Sequence, residues 1–166
     1  MQTRPKAFGW LAAGLTIAVL ILSVFSDGGG ILVLRKVGAV ILVASALFIY
    51  LPFYALRKYG RSKAEEDCMQ TTAVVDRGIY AVVRHPQYLG YIMINMGFVC
   101  LVQSALVIAL AIPAVVLFVV HTVLEDRYCA EKHGEEWRDY ARRVPLINVF
   151  AGLWRLMARR WRGVQS

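Results

Sequence analysis

Three long stretches of this chain carry no charged side chain: residues 7–26, residues 37–56 and, with His121 taken as neutral, residues 86–124. A bilayer core of about 30 Å needs about 20 helical residues to cross it, so each of the first two stretches is one span. The third holds 39 residues, roughly twice a single crossing at about 1.5 Å per residue, and so has to turn round. Gln103 and Ser104 are the most polar pair inside it. They place the bend and predict a helical hairpin, with a short arm over residues 89–102 and a longer arm over residues 105–124. Within lipid the backbone must satisfy its own hydrogen bonds. The expected fold is therefore an all-α integral membrane protein with about four transmembrane helices, including the hairpin.

Charge decides the orientation. The chain is 58% hydrophobic yet has 19 Lys and Arg against 11 Asp and Glu, a net charge of +8. That combination excludes a disordered chain, which is poor in apolar residues, and a collagen-like, coiled-coil or disulfide-rich class. Seventeen of the 19 basic residues fall on one predicted face: Arg4 and Lys6, six between Arg57 and Arg84, and nine between Arg127 and Arg162. Only Arg35 and Lys36 lie in the loop between the first two spans. The positive-inside bias makes the basic face, with both termini, cytoplasmic. The first span reads as a retained helix and not a signal peptide, because no small-x-small cleavage site follows before Asp27. Cys68, Cys100 and Cys129 have no CxxC spacing and read as free thiols. Gly28, Gly29 and Gly30 read as a flexible turn, and the mixed charges of residues 61–67 as a solvated helix end.

Polar residues gather at the cytoplasmic end of the hairpin. The first segment runs through Asp76, Arg77, Gly78, Ile79 and Tyr80 to Arg84, His85, Pro86, Gln87, Tyr88, Leu89 and Gly90. Pro86 suits the first turn of a helix, which puts His85 at its cap and Tyr88 one turn in. Gly90 and Gly97 are seven apart on one helical face, a spacing that permits close backbone approach. In the second segment His121 and Glu125 are four apart, hence on one face. Ionisable groups at a membrane edge are costly and face each other or a polar cavity. Trp137, Tyr140, Ala141 and Val144 then form the apolar face of an amphipathic helix. Leu146, Phe150, Leu153, Trp154, Met157 and Trp161 recur at helical spacing between Arg155, Arg159, Arg160 and Arg162. Such a helix lies in the headgroup layer, and its Trp and Leu stripe suits a bilayer, with no nucleic-acid partner.

These blocks carry a resemblance. Gly78-Ile79-Tyr80, then Arg84-His85-Pro86-Gln87-Tyr88-Leu89-Gly90, then Glu125 followed by Gly134-Glu135-Glu136-Trp137-Arg138-Asp139-Tyr140 and Arg142-Arg143-Val144-Pro145, resemble the isoprenylcysteine carboxyl methyltransferases and their relatives, the phospholipid methyltransferases. The likeness runs over residues 72–145, with no such pattern in the first 60 residues. It implies S-adenosylmethionine bound at the cytoplasmic helix ends beneath a C-terminal segment, and a lipid-tailed or amphiphilic methyl acceptor entering from the bilayer. Carried over by position, the cofactor residues would be Thr72, Ala73, Val74, Val75, Tyr80, His85, Pro86, Gln87, Tyr88 and Glu125, with Glu65 a further polar position. Where the carboxyl methyltransferases place a substrate-contacting Arg, four residues before the Glu, this chain has His121. The resulting organisation is two N-terminal transmembrane helices (residues 1–60), a methyltransferase-like core (61–145) and a basic interfacial helix (146–166).

The residue types fit the chemistry. Methyl transfer from a sulfonium is an in-line displacement in which positioning does much of the work, and the cofactor brings its own activated methyl. Glu125 suits an ammonium or ribose hydroxyls, Tyr80 and Tyr88 offer ring faces and hydroxyls, and Arg84 with His85 suits a carboxylate. Arg84, His121 and Glu125 are thus the candidate catalytic residues, His121 also facing the acceptor, as imidazolium for a carboxylate or as neutral base for an amine. No metal is expected, since His85, His121 and His133 form no ligand set and neither HExxH nor a Cys cluster occurs. The soluble methyltransferase class is excluded, because its sheet needs alternating strands and helices with a Gly-rich first turn. The rival reading is a helical scaffold or ion-path protein. Against it, the spans contain only His121 for a charge relay, and the polar residues gather at one face.

Overall fold

The computed structural model describes residues 6–26, 30–59 and 74–164. Every regular element among them is helical: α1 (Lys6–Phe25), α2 (Leu32–Tyr59), a short 3-10 turn (Gly78–Ala81), α3 (Pro86–Val102), α4 (Ala105–His133), α5 (Glu135–Arg143) and α6 (Val149–Val164). Helices α1, α2 and α4 are long and apolar enough to cross a membrane. Helix α3 has 17 residues, about 25 Å of length, and is the short arm that the charge pattern predicts. Large apolar side chains such as Trp10, Val24, Phe25, Val40 and Val43 point outward from α1 and α2. Water would penalise that surface and lipid does not. The protein is an all-α integral membrane protein.

The chain divides into two compact units, one made of Met1–Ile49 and Tyr88–Leu124, the other of Tyr50–Gln87 and Glu125–Ser166. In the first unit Val19, Val102, Val107 and Ala111 form the buried core. Between α2 and α3 the approach depends on missing side chains. A Cβ at Gly38 would lie 2.7 Å from the Gly97 carbonyl oxygen, and one at Gly90 would lie 2.7 Å from Ile49 Cγ1. Lipid offers no hydrophobic drive for helices to associate, so close backbone packing of this kind carries the contact. Deeper in the unit Asn95 Nδ2 donates to Thr16 Oγ1 and to the Tyr91 carbonyl, both at 2.9 Å, which joins α1 to α3.

The hairpin turns at Gln103 and Ser104, between the end of α3 and the start of α4, where the polar pair predicts it. Gln103 adopts φ +55°, a conformation disfavoured for a residue with a Cβ. Its amide offsets that cost. The Ile31 N–H donates to Gln103 Oε1 at 2.9 Å, and Gln103 Nε2 donates to the Ile31 carbonyl at 3.0 Å and the Cys100 carbonyl at 3.2 Å. The turn is thereby tied to the start of α2.

In the second unit the buried core is Cys129, Trp137, Tyr140 and Val144, with Val74, Ala130 and Ala141 packed on it. The apolar face predicted from spacing is the one that α5 buries. The helix boundary differs from the sequence reading, because α4 continues from the membrane run to His133 and breaks at Gly134, whose φ is +59°. One cysteine also departs from expectation: Cys100 is a free thiol, whereas Cys129 is fully buried and disulfide-bonded. Linear spacing cannot report a pairing made across a fold. Cys68 and the charged residues 61–67 lie outside the described residues.

Candidate active site

Pro86 starts α3, and the two residues before it are fixed from both sides. The Arg84 N–H donates to the Pro145 carbonyl at 3.0 Å and the His85 N–H to the Leu146 carbonyl at 3.1 Å. This double backbone bond aims two side chains at the same acidic pair on α4. His85 is 4% exposed and Glu125 is 2% exposed, with His85 Nδ1 3.7 Å from Glu125 Oε1. The other ring nitrogen, Nε2, is 3.2 Å from Asp126 Oδ1, and Arg84 Nε is 3.4 Å from that same oxygen. One imidazole thus sits between two carboxylates, and a guanidinium shares the second of them.

Aromatic rings close this cluster. Trp137 stands 6.0 Å from the His85 ring, 6.3 Å from His133 and 5.2 Å from Tyr140. The Tyr140 hydroxyl donates to the Tyr80 carbonyl at 2.7 Å, which ties α5 to the 3-10 turn, and burial pushes its phenol well above its usual range. One buried donor here, Trp137 Nε1, has no hydrogen-bond acceptor among the described residues, while Arg84 Nε has only its ion pair with Asp126. An unsatisfied buried donor costs about 1–3 kcal/mol, a cost that a water or ligand acceptor at this atom would relieve.

The first unit holds a separate polar pair. His121 Nε2 and the Tyr88 hydroxyl share a hydrogen bond of 3.0 Å, with the rings edge to face at 4.9 Å. Tyr91 and Phe118 stack beside Tyr88. His121 lies close under Gly9 of α1, where a Cβ would come within 3.1 Å of its ring. Among the described residues no group of three or more His, Cys, Asp or Glu side chains is arranged to hold a metal ion.

Of the residues singled out from sequence, Arg84, His85 and Glu125 come together in the second unit, with Tyr80 bonded through its backbone and Val74 in the adjoining core. Val75, Pro86 and Gln87 belong to the same unit, and Tyr88 and His121 pair in the other. Thr72, Ala73 and Glu65 lie outside the described residues. Three participants escaped the sequence reading. Asp126 is an exposed-looking neighbour of Glu125, and Trp137 and Tyr140 register only as an apolar face. The remaining signal for Trp137 is its place directly after Glu135 and Glu136 in the motif block.

Residues 34–136 match the phospholipid methyltransferase family, and the chain belongs to that family. The match takes in nearly all of α2, well before the motif block at residues 72–145. A 73-residue stretch is 32% identical to Protein-S-isoprenylcysteine O-methyltransferase B of Arabidopsis thaliana, covering 43% of this chain and 37% of that protein. The chain thus matches little more than a third of that relative's length. No solved structure gives a significant match.

Proposed function

We propose that the protein is an S-adenosylmethionine-dependent methyltransferase acting on a lipid-tailed or amphiphilic acceptor, with isoprenylcysteine-type carboxyl O-methylation as the leading reaction. The observation that carries this reading is the cluster of buried His85 and Glu125 with partly buried Arg84 and Asp126, beside an indole N–H that has no acceptor among the described residues. Its donor and acceptor set fits the cofactor. Glu125 would hold an ammonium or ribose hydroxyls, and Arg84 the amino-acid carboxylate. Trp137 Nε1 would donate to an acceptor atom of the ligand, and Tyr80, Gln87 and residues 72–75 would complete the cradle. When bound, S-adenosylmethionine supplies a methyl group already activated for displacement.

What remains for the protein is alignment and charge. Holding a nucleophile in line with a methyl group supplies a large share of such a rate enhancement. His121, hydrogen-bonded to Tyr88, is assigned to the acceptor: its imidazolium form orients a carboxylate, which needs no base. A phospholipid amine is the second reading, consistent with the family description. There the neutral imidazole would take the proton that the amine must lose. In this organisation residues 1–60 serve as membrane anchor, 61–145 as catalytic core and 146–166 as interfacial helix, with the site on the cytoplasmic side as the charge bias implies.

The test is direct. Purified protein in detergent should bind S-adenosylhomocysteine by calorimetry, and His85→Ala and Glu125→Ala should each weaken that binding. Supplied with radiolabelled methyl donor, it should label a prenylcysteine analogue. Absence of binding would overturn the enzyme reading, and label confined to the lipid fraction would replace carboxyl methylation with amine methylation.

A further inference from the structure

Helix α6 has two faces with different surroundings. Gly152 and Arg159, seven residues apart and so on one side of the helix, press on the end of the 3-10 turn. A Cβ at Gly152 would overlap the Val82 carbonyl oxygen, and Arg159 Nη2 donates to the Ala81 carbonyl at 3.3 Å. Phe150, Trp154, Met157 and Trp161 occupy the opposite side and are exposed, Phe150 by 87% and Trp161 by 78%. That pattern leaves a large apolar stripe with none of the described residues packed against it. The turn that α6 grips is the one that leads, within a few residues, into Arg84 and His85.

We propose that the exposed face of α6 is a docking surface for an anionic bilayer, and that docking there stiffens residues 78–85 and so tightens the cofactor cluster. The occupant follows from residue type. Two tryptophans and a phenylalanine suit the headgroup and acyl boundary, and Arg155 is exposed on the same helix, with Arg160 and Arg162 following it in sequence. Basic side chains near an anionic surface add to that attraction. A helix held on one face by lipid and seated on the other against a backbone carbonyl loses freedom to lift from the turn, and ordering imposed by one ligand reduces the ordering cost of a second. The second half of the proposal rests on the proposed function; the first half does not.

The full-length protein is reconstituted in phosphatidylcholine vesicles with and without phosphatidylglycerol, using brominated acyl chains. Tryptophan quenching is read in a Trp10→Phe background, amide exchange is read over residues 78–85, and S-adenosylhomocysteine affinity is read by calorimetry. Anionic vesicles should deepen the quenching, slow exchange at 78–85 and tighten the ligand by about fivefold or more, the lower end of typical coupling between sites. Trp154→Glu with Trp161→Glu removes the quenching reporters and should abolish the effects on exchange and affinity, and Arg155→Glu should reduce all three effects; all three positions are exposed. Equal quenching in both lipids, or protection of Trp154 by a second copy of the chain shown by cross-linking through residue 154, would overturn the docking surface. Deeper quenching with unaltered exchange at 78–85 would overturn the coupling. Absence of ligand binding in every vesicle would instead strike at the proposed function, while quenching and exchange still decide the docking proposal.

Discussion

Replacing Glu125 with Gln separates charge from shape at the centre of the cluster. The side chain is 2% exposed and its oxygen lies 3.7 Å from His85 Nδ1, so the amide can occupy the same space and keep one acceptor while losing the negative charge. A hydrogen bond to a charged group contributes about 1.5–3 kcal/mol in such surroundings. Since each 1.4 kcal/mol is tenfold in affinity, Glu125→Gln should weaken S-adenosylhomocysteine binding by about 10- to 150-fold. Asp126 provides the internal control. Its side chain is 21% exposed and already shared between Arg84 and His85, so Asp126→Asn should cost less than about tenfold, as partly solvated ion pairs contribute about 0–1 kcal/mol. Calorimetry on the full chain in detergent gives both constants, and circular dichroism shows that helicity is intact. If Glu125→Gln bound as tightly as the parent protein while Asp126→Asn did not, the assignment of the two carboxylates would be reversed and the reasoning from burial wrong.

Tyr140→Phe removes the donor to the Tyr80 carbonyl and should lower stability by about 1–3 kcal/mol, read as a shifted thermal or denaturant midpoint. Because burial raises the Tyr140 phenol in the fold, the unfolded chain sheds that proton first. Its stabilisation is whole below about pH 10 and declines as pH rises from there. Tyr140→Phe should therefore flatten the alkaline limb, and an unaltered limb would count against this source of the slope. Gly38→Ala forces a methyl to 2.7 Å from the Gly97 carbonyl oxygen and should cost about 1–3 kcal/mol through overpacking, measured by detergent-driven unfolding; a neutral outcome would mean that the two helices separate freely. His121→Arg installs a fixed cation at the acceptor position and should raise methyl transfer to a prenylcysteine analogue by about tenfold, the worth of one charge-assisted bond. Loss of that transfer would contradict the carboxylate reading, and loss of transfer to an amine lipid alone would fit a base role for His121.

The membrane architecture was legible because one physical requirement dominates it. Lipid tolerates neither unpaired backbone nor stray charge, so uncharged runs translate into helices and their length into crossings. The bend at Gln103 was readable for the same reason, a polar pair in an otherwise apolar run. What made the bend stable was not readable, because the amide bonds of Gln103 reach Ile31, 72 residues away in sequence. The break at Gly134 was missed in favour of a continuous amphipathic segment. Charge continues through that point, and only the backbone torsion marks it.

The site was legible as a list of residue types and not as a constellation. Motif spacing brought forward Arg84, His85 and Glu125, which do meet, but local periodicity treats each polar segment alone and says nothing about the carbonyls of Pro145 and Leu146 that hold the first two in place. Asp126 carries no motif signal of its own, yet it is the residue that His85 and Arg84 share. Trp137 was read through its ring alone, and a hydrophobic pattern cannot show that an indole N–H will be buried without an acceptor among the described residues. Cys129 shows the same blindness, since pairing is a distance in space. In each instance the missing information is which groups the fold brings together or, for Trp137, leaves without a partner among the described residues. The prediction with the most force is therefore at Trp137. Trp137→Phe keeps an aromatic ring beside His85 and Tyr140 but removes the unpartnered donor together with part of a buried ring, so it should cost stability in thermal unfolding and weaken S-adenosylhomocysteine binding by calorimetry; unchanged binding would count against a ligand contact at this indole.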